Sequence, residues 1–225
     1  MTPLAASVFS PSVSVLAAFV ATSLTLNVTP GADMMFVIAH TLTGGARAGR
    51  RAALGIAVGS LIQALLAIAG ISALIAASGG LLEAVTYAGT AYLIWVGVRI
   101  VRAPAAFEAE AAMGAAGVAA ASDRSANPFG RGVMNNLLNI KVVLFYVTLL
   151  PLFVRSSAGP EWQQVLFYGL LFNALGTCIL LCVASGVDRG AYRLRSRPRL
   201  LTLLSKTGGT VLIALAVTVI SRQVM

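Results

Sequence analysis

The sequence predicts an all-α membrane protein of six transmembrane helices, arranged as two inverted three-helix repeats. Three observations predict it. Of 225 residues, 58% are hydrophobic and only 10% are charged, with a mean hydropathy of +0.90; an average soluble domain carries about a quarter charged residues. Six apolar runs reach the ~20 residues that a transmembrane helix needs. A stretch rich in Ala and Gly, 103–130, divides the runs three and three.

The first run extends from about Val13 to His40 and is interrupted by Thr29-Pro30-Gly31-Ala32-Asp33. A Gly-rich turn with Arg47, Arg50 and Arg51 leads into the second run, Ala52 to Leu82, which holds no charge. Glu83 opens the third, which passes Tyr92 and Trp95, residues suited to the membrane interface, and ends at Arg99 and Arg102. Residues 103–130 have a linker composition. The fourth run goes from about Gly132 to Val154 with Lys141 inside it, the fifth from Trp162 to Val187, and the sixth from about Leu200 to Ile220. The expected organisation is a first repeat over 1–102, a cytoplasmic linker over 103–130 and a second repeat over 131–225.

Charge sets the orientation. Thirteen of the sixteen Lys and Arg residues lie in or beside the first, third and fifth loops, against Arg155 and Arg222 on the other side. Basic residues collect on cytoplasmic loops, so those three loops are expected inside and both termini outside. The net charge of +9 therefore marks sidedness and contact with anionic lipid rather than nucleic acid. No phosphate-binding GxxxxGK[ST] pattern occurs. Cys178 and Cys182, four residues apart on one apolar run, form no disulfide framework and no metal ligand set; they are expected to be packing residues.

Asp33 and Lys141 are the two ionisable groups expected at membrane depth. Such groups face a protein interior or a wet cavity, because a charge in hydrocarbon costs several kcal/mol. Asp33 lies ~10 Å and Lys141 ~15 Å from the same membrane face at helical rise, so a direct or water-bridged pair is possible, as a substrate or proton site or as a purely structural lock. Pro30 removes a backbone donor and Gly31 lets the chain open. Opened backbone at depth lines a cavity or packs inside protein; here it is expected to serve a zwitterion, with opened backbone or Lys141 holding a carboxylate and Asp33 holding an ammonium or a proton. Asn135, Asn136, Asn139 and Lys141 cluster in the fourth run, with Asn135 and Asn139 on one face. Lower-ranked cavity candidates are Asn27, His40, Gln63, Asn173 and Thr177. Gly55 and Gly59 form a GxxxG packing motif for a neighbouring helix in this chain or in a partner.

Three stretches together resemble the LysE/RhtB amino-acid exporter family: NVTPGADMMFVIAHTLTGGARAGRRAALGIAVGSLIQALLAIAGISALI, YAGTAYLIWVGVRIVR and FGRGVMNNLLNIKVVLFYVTLLPLFV. The resemblance covers most of the chain outside 103–130. It implies a bacterial inner-membrane secondary exporter of amino acids or close derivatives, driven as an antiporter by the proton-motive force, with Pro30, Gly31, Asp33, Asn139 and Lys141 matching family positions. Two positions depart from the family pattern. Ala32 stands where the family has a second Pro after Gly, and Ile140 where it has Pro between Asn and Lys, so both breaks are expected to be less enforced.

The expected partners are an amino-acid substrate, protons and the lipid bilayer, with a homodimer as the oligomer compatible with the packing motif. No enzyme activity, cofactor, metal or nucleic acid is expected. The rival readings are an exporter of divalent metal or another ion, as in sister families, and a non-transporting membrane assembly or redox subunit. A metal path wants several carboxylates at depth, and a thiol carrier wants a cysteine in each half; Asp33 is the one acid expected at depth, and both cysteines lie in the fifth run.

Overall fold

The computed structural model describes residues 9, 11–77, 79–104, 127–155, 158–195, 206–207, 210, 213–214 and 217. All regular structure among them is helical. The helices are α1 (Val13–Val28), α2 (Ala32–Ala77), α3 (Gly79–Arg102), α4 (Pro128–Leu137), α5 (Ile140–Leu144) and α6 (Glu161–Arg195). A π-helical turn (Phe145–Leu149) and a 3-10 turn (Leu150–Phe153) continue α5. Most of the expected linker and most of the sixth run lie outside the described residues, as does the side chain of Tyr92.

Among the described residues, two stretches are long and apolar enough to cross a bilayer, Ala32–Gly70 and Glu161–Val187. The pair Pro128–Leu137 and Ile140–Phe153, bent by 50°, makes a third as a broken span. The first run is broken at Pro30, and its second part meets the second run at Gly45, where two helices join at a kink; the two together are labelled α2. Inside α2, Gly45 has φ 72° and ψ 178°, a left-handed setting that glycine adopts without steric cost. The chain doubles back there. Asp33 and Ser60 line one cavity, whereas a straight helix would hold them ~40 Å apart.

α2 packs against both α4 and α6. Its contact with α4 depends on missing side chains. A Cβ on Gly55 would overlap the backbone of Phe129, one on Gly132 would overlap the Ala52 carbonyl, and one on Gly59 would sit 2.8 Å from the Val133 carbonyl. The GxxxG motif therefore serves a helix of the same chain. Gln63 adds a polar tie, its Nε2 donating to the Asn136 carbonyl at 2.6 Å.

Two apolar cores form. One is aromatic: Phe19 of α1 lies edge-on to Phe153, with ring centroids 5.0 Å apart, and 4.5 Å from Tyr168, and Phe145 stacks on Phe172 at 3.8 Å. Such pairs add about 0.5–1.5 kcal/mol each beyond burial. The other core, of Phe36, Val37, Ala52, Ala53, Ile56, Leu180 and Ala184, is built largely from small residues. In the first turn of α6, the buried Gln164 clasps the loop that leads into the helix, donating to the carbonyls of Arg155 and Gly159 at 2.8 Å each and accepting from the Arg155 N–H at 2.9 Å. Cys178 and Cys182 are exposed on α6, so they face outward and do not pack as expected. Trp95 is also exposed, with the Arg99 guanidinium 4.8 Å over its ring.

Candidate functional site

The site is made by two helix breaks. In a continuous helix each carbonyl accepts from the N–H four residues on. Residue 30 is proline and has no N–H, so the Leu26 carbonyl loses its helical donor. Thr29 closes α1 in an extended conformation, its N–H and its hydroxyl both donating to the Thr25 carbonyl, at 3.1 and 2.7 Å. α2 starts two residues after Pro30 and carries Asp33 in its first turn, where the helix dipole favours an anion.

The second break needs no proline. α4 stops at Leu137, and Asn139 caps α5 from an extended conformation, its Oδ1 accepting from the Lys141 N–H at 3.1 Å. An asparagine cap supplies what the absent proline would have imposed. Both breaks are therefore kept despite Ala32 and Ile140. Asp33 and Lys141 each stand second in the helix that follows a break.

Each charged group holds the helix end that precedes the other. Asp33 accepts from Asn135 Nδ2 at 2.7 Å on Oδ1 and from Asn136 Nδ2 at 2.9 Å on Oδ2, both in the last turn of α4. Lys141 Nζ donates to the carbonyls of Leu26 at 3.2 Å and Thr29 at 3.3 Å, at the end of α1. Among the described contacts the two side chains make no direct ion pair. At the first break the end of α1 offers carbonyl oxygens, which attract cations, because a helix C-terminus ends in unpaired acceptors.

Asp33 and Lys141 nevertheless line one cavity with Asn27, Thr29, Ser60, Asn136, Asn173 and Thr177. Its apolar wall is Met34, Ile56, Val142, Phe172 and Leu180, and it measures about 30 Å³. A water needs about 10–15 Å³ on that measure, so the cavity admits two or so. It lies between the two apolar cores, bounded by Phe172 of one and by Ile56 and Leu180 of the other.

Of the residues singled out from sequence, Asn27, Asp33, Asn136, Lys141, Asn173 and Thr177 belong to the wall. Pro30, Gly31, Asn135 and Asn139 stand behind it and shape it. Gly31 is buried, and a Cβ there would sit 3.1 Å from Lys141 Nζ. His40 and Gln63 are not in the wall. His40 is two turns beyond Asp33, buried against Phe36, with Nδ1 3.0 Å from the Phe36 carbonyl. Gln63 is spent on the end of α4.

Several wall residues do not stand out in the sequence, among them Ser60, Phe172 and Gly176. Asn136, which does, lies in the last turn of α4, where its amide and that of Asn135 both reach Asp33. Ser60 bonds the buried Tyr146 hydroxyl at 3.1 Å. Phe172 and Gly176 share a helical face with Asn173 and Thr177, a spacing that was available as a signal. Gly176 matters through its missing side chain: a Cβ would sit 2.5 Å from Asn27 Oδ1.

Residues 24–223 match the LysE type translocator family. The chain belongs to that family. As a LysE type translocator it is a membrane transporter and not an enzyme. It is 34% identical over 158 residues to the uncharacterized membrane protein YrhP of Bacillus subtilis, covering 69% of this chain and 75% of that one. It is 28% identical over 155 residues to a leucine efflux protein of Salmonella typhimurium, covering 67% and 68%. With a leucine efflux protein of Klebsiella pneumoniae it shares 27% over 192 residues, covering 83% and 85%. No solved structure matches the translocator.

Proposed function

We propose that this translocator is a secondary active exporter of amino acids, antiporting them from the cytoplasm against protons across a bacterial inner membrane. The observation that carries the reading is one polar cavity, flanked by two broken helices, that holds both a carboxylate and an ammonium. The relatives named for leucine efflux support an amino acid as the cargo. The apolar wall of Met34, Ile56, Phe172 and Leu180 suits an aliphatic side chain. Asp33 carries the coupling proton and Lys141 holds the substrate carboxylate.

The exchange of contacts between Asp33 and Lys141 supports two inverted halves. Each half places a charge after its break, and that charge engages the other half's helix end. The two apolar cores act as the gates on either side, and the cavity widens as one of them parts, because an amino acid exceeds the present space. The basic loops lie inside and both termini outside.

The test is transport by purified protein in liposomes under an imposed pH gradient, with a panel of amino acids inside. Flux of at least one aliphatic amino acid against protons is expected, and Asp33→Asn should lose the pH dependence. A gradient that moves no member of the panel defeats the exporter reading, and pH-driven flux retained by Asp33→Asn removes Asp33 from coupling.

A further inference from the structure

The end of α1 is built to receive an ammonium group. The Leu26 and Thr29 carbonyls would accept, in an unbroken helix, from the N–H groups of residues 30 and 33. Proline at 30 removes the first donor, and the break at Thr29-Pro30-Gly31 stands between the Thr29 carbonyl and α2. Unpaired carbonyls at membrane depth are costly. Lys141 Nζ caps both, at 3.2 and 3.3 Å, distances suited to an ammonium shared between two oxygens. Gly31 leaves the approach open. Thr29 and Lys141 both belong to the cavity wall, with the buried Leu26 behind it, so a molecule in the cavity meets this helix end at Thr29.

We propose that the carbonyls of Leu26 and Thr29 are the subsite for the substrate's α-ammonium group, and that Lys141 occupies it in the empty protein and is displaced by substrate. This inference rests on the amino-acid exporter reading and deepens it. The displaced Lys141, on its flexible stem, turns to the substrate carboxylate. Asp33 stays with its amides and is left to the proton. Substrate thus exchanges one ammonium for another, and the α1 end is paired with and without cargo. The substrate class follows: a free amine next to a free carboxylate, with N-acylated amino acids excluded.

The test is chemical rescue of the whole purified protein. Lys141→Ala deletes the atoms of n-propylammonium. Added in millimolar excess, that ion should raise the melting temperature of Lys141→Ala by about 2–4 °C. n-Propanol should not do so, and wild type should respond to neither. Lys141→Met keeps most of the side-chain volume without the charge and is the second variant. Ammonium chloride should stabilise it relative to the same concentration of sodium chloride. Absence of an ammonium-specific shift in both variants overturns the proposal. The readout needs no transport, so the two readings fail separately. Rescue without amino-acid flux in liposomes rejects the amino-acid cargo, and flux without rescue rejects the subsite.

Discussion

Asp33 and Lys141 line the same cavity, and each binds the helix end that precedes the other rather than its opposite charge. Asp33 takes two amide protons from the last turn of α4, and Lys141 gives its protons to two carbonyls at the end of α1. A direct pair would satisfy two charges and tie down two helices. The crossed arrangement joins both helix ends of both breaks, so a change at either charge is felt by two half-helices.

The amides of Asn135 and Asn136 should then be worth more than ordinary interhelical contacts. A hydrogen bond to a charged group contributes about 1.5–3 kcal/mol. Asn136→Leu and Asn135→Leu are each expected to destabilise the protein by roughly that amount, measured by thermal unfolding in detergent. In the Asp33→Asn background either substitution should cost distinctly less. Equal costs in the two backgrounds would show that the amides do not serve the carboxylate.

Glycines on one short helix separate packing from propensity. Gly132 faces the Ala52 carbonyl so closely that a Cβ would overlap it, whereas a Cβ on Gly130 meets nothing within 4 Å. Gly132→Ala is expected to lose about 1–3 kcal/mol through overpacking. Gly130→Ala should be neutral or gain up to about 1 kcal/mol of helix stability. Parallel melts of the two variants decide it, and similar values for both would contradict the close α2–α4 contact.

Gly176 should influence which cargo fits. Asn27, held by its Nδ2 to the Ser23 carbonyl at 2.9 Å, lies where a Cβ of residue 176 would go. Gly176→Ala is expected to push Asn27 into the cavity, leaving stability near wild type while export of amino acids with bulky side chains falls more than that of alanine. Rates with a graded series of aliphatic amino acids measure this. A uniform loss across the series would place the effect on folding or on gating instead.

Tyr146 contributes through its hydroxyl, which lies 3.1 Å from Ser60 Oγ and 3.5 Å from the Gly169 carbonyl. Tyr146→Phe is expected to cost about 0.5–1.5 kcal/mol. The cycle with Ser60→Ala should show a coupling in that range. Additive effects of the two substitutions would mean that the hydroxyls do not share a bond.

The two cysteines make the complementary case. Cys178 and Cys182 are exposed on α6, and substitutions away from special contacts fall within about ±0.5 kcal/mol. A Cys178→Ser, Cys182→Ser double variant should melt and transport like wild type. A large loss in either measurement would show that α6 packs through them.

The break in the first run was legible because proline and glycine act locally and are read one residue at a time. The break at Asn139 was partly legible: the amides and Lys141 stood out, but the capping role of Asn139 depends on its backbone conformation. Phe172 and Gly176 carry no such mark, because apolar residues and glycine look alike in sequence whether they pack or line a cavity. His40 stands out by its titratable ring and Gln63 by its polarity, and the structure places both outside the wall. Local hydrogen bonding to the Phe36 carbonyl and to the end of α4 accounts for them.

Composition and local chemistry were enough for the solvent, the helical class, the point at which the first helix must open and the two charges at depth, since these follow from hydropathy and from one missing N–H group. Folding alone decided that α2 reverses at Gly45, that the GxxxG motif meets α4 of the same chain, and that Asp33 and Lys141 divide their bonds crosswise. Those outcomes depend on contacts between residues as many as 115 positions apart, and the packing that selects among them exists only once the helices have met.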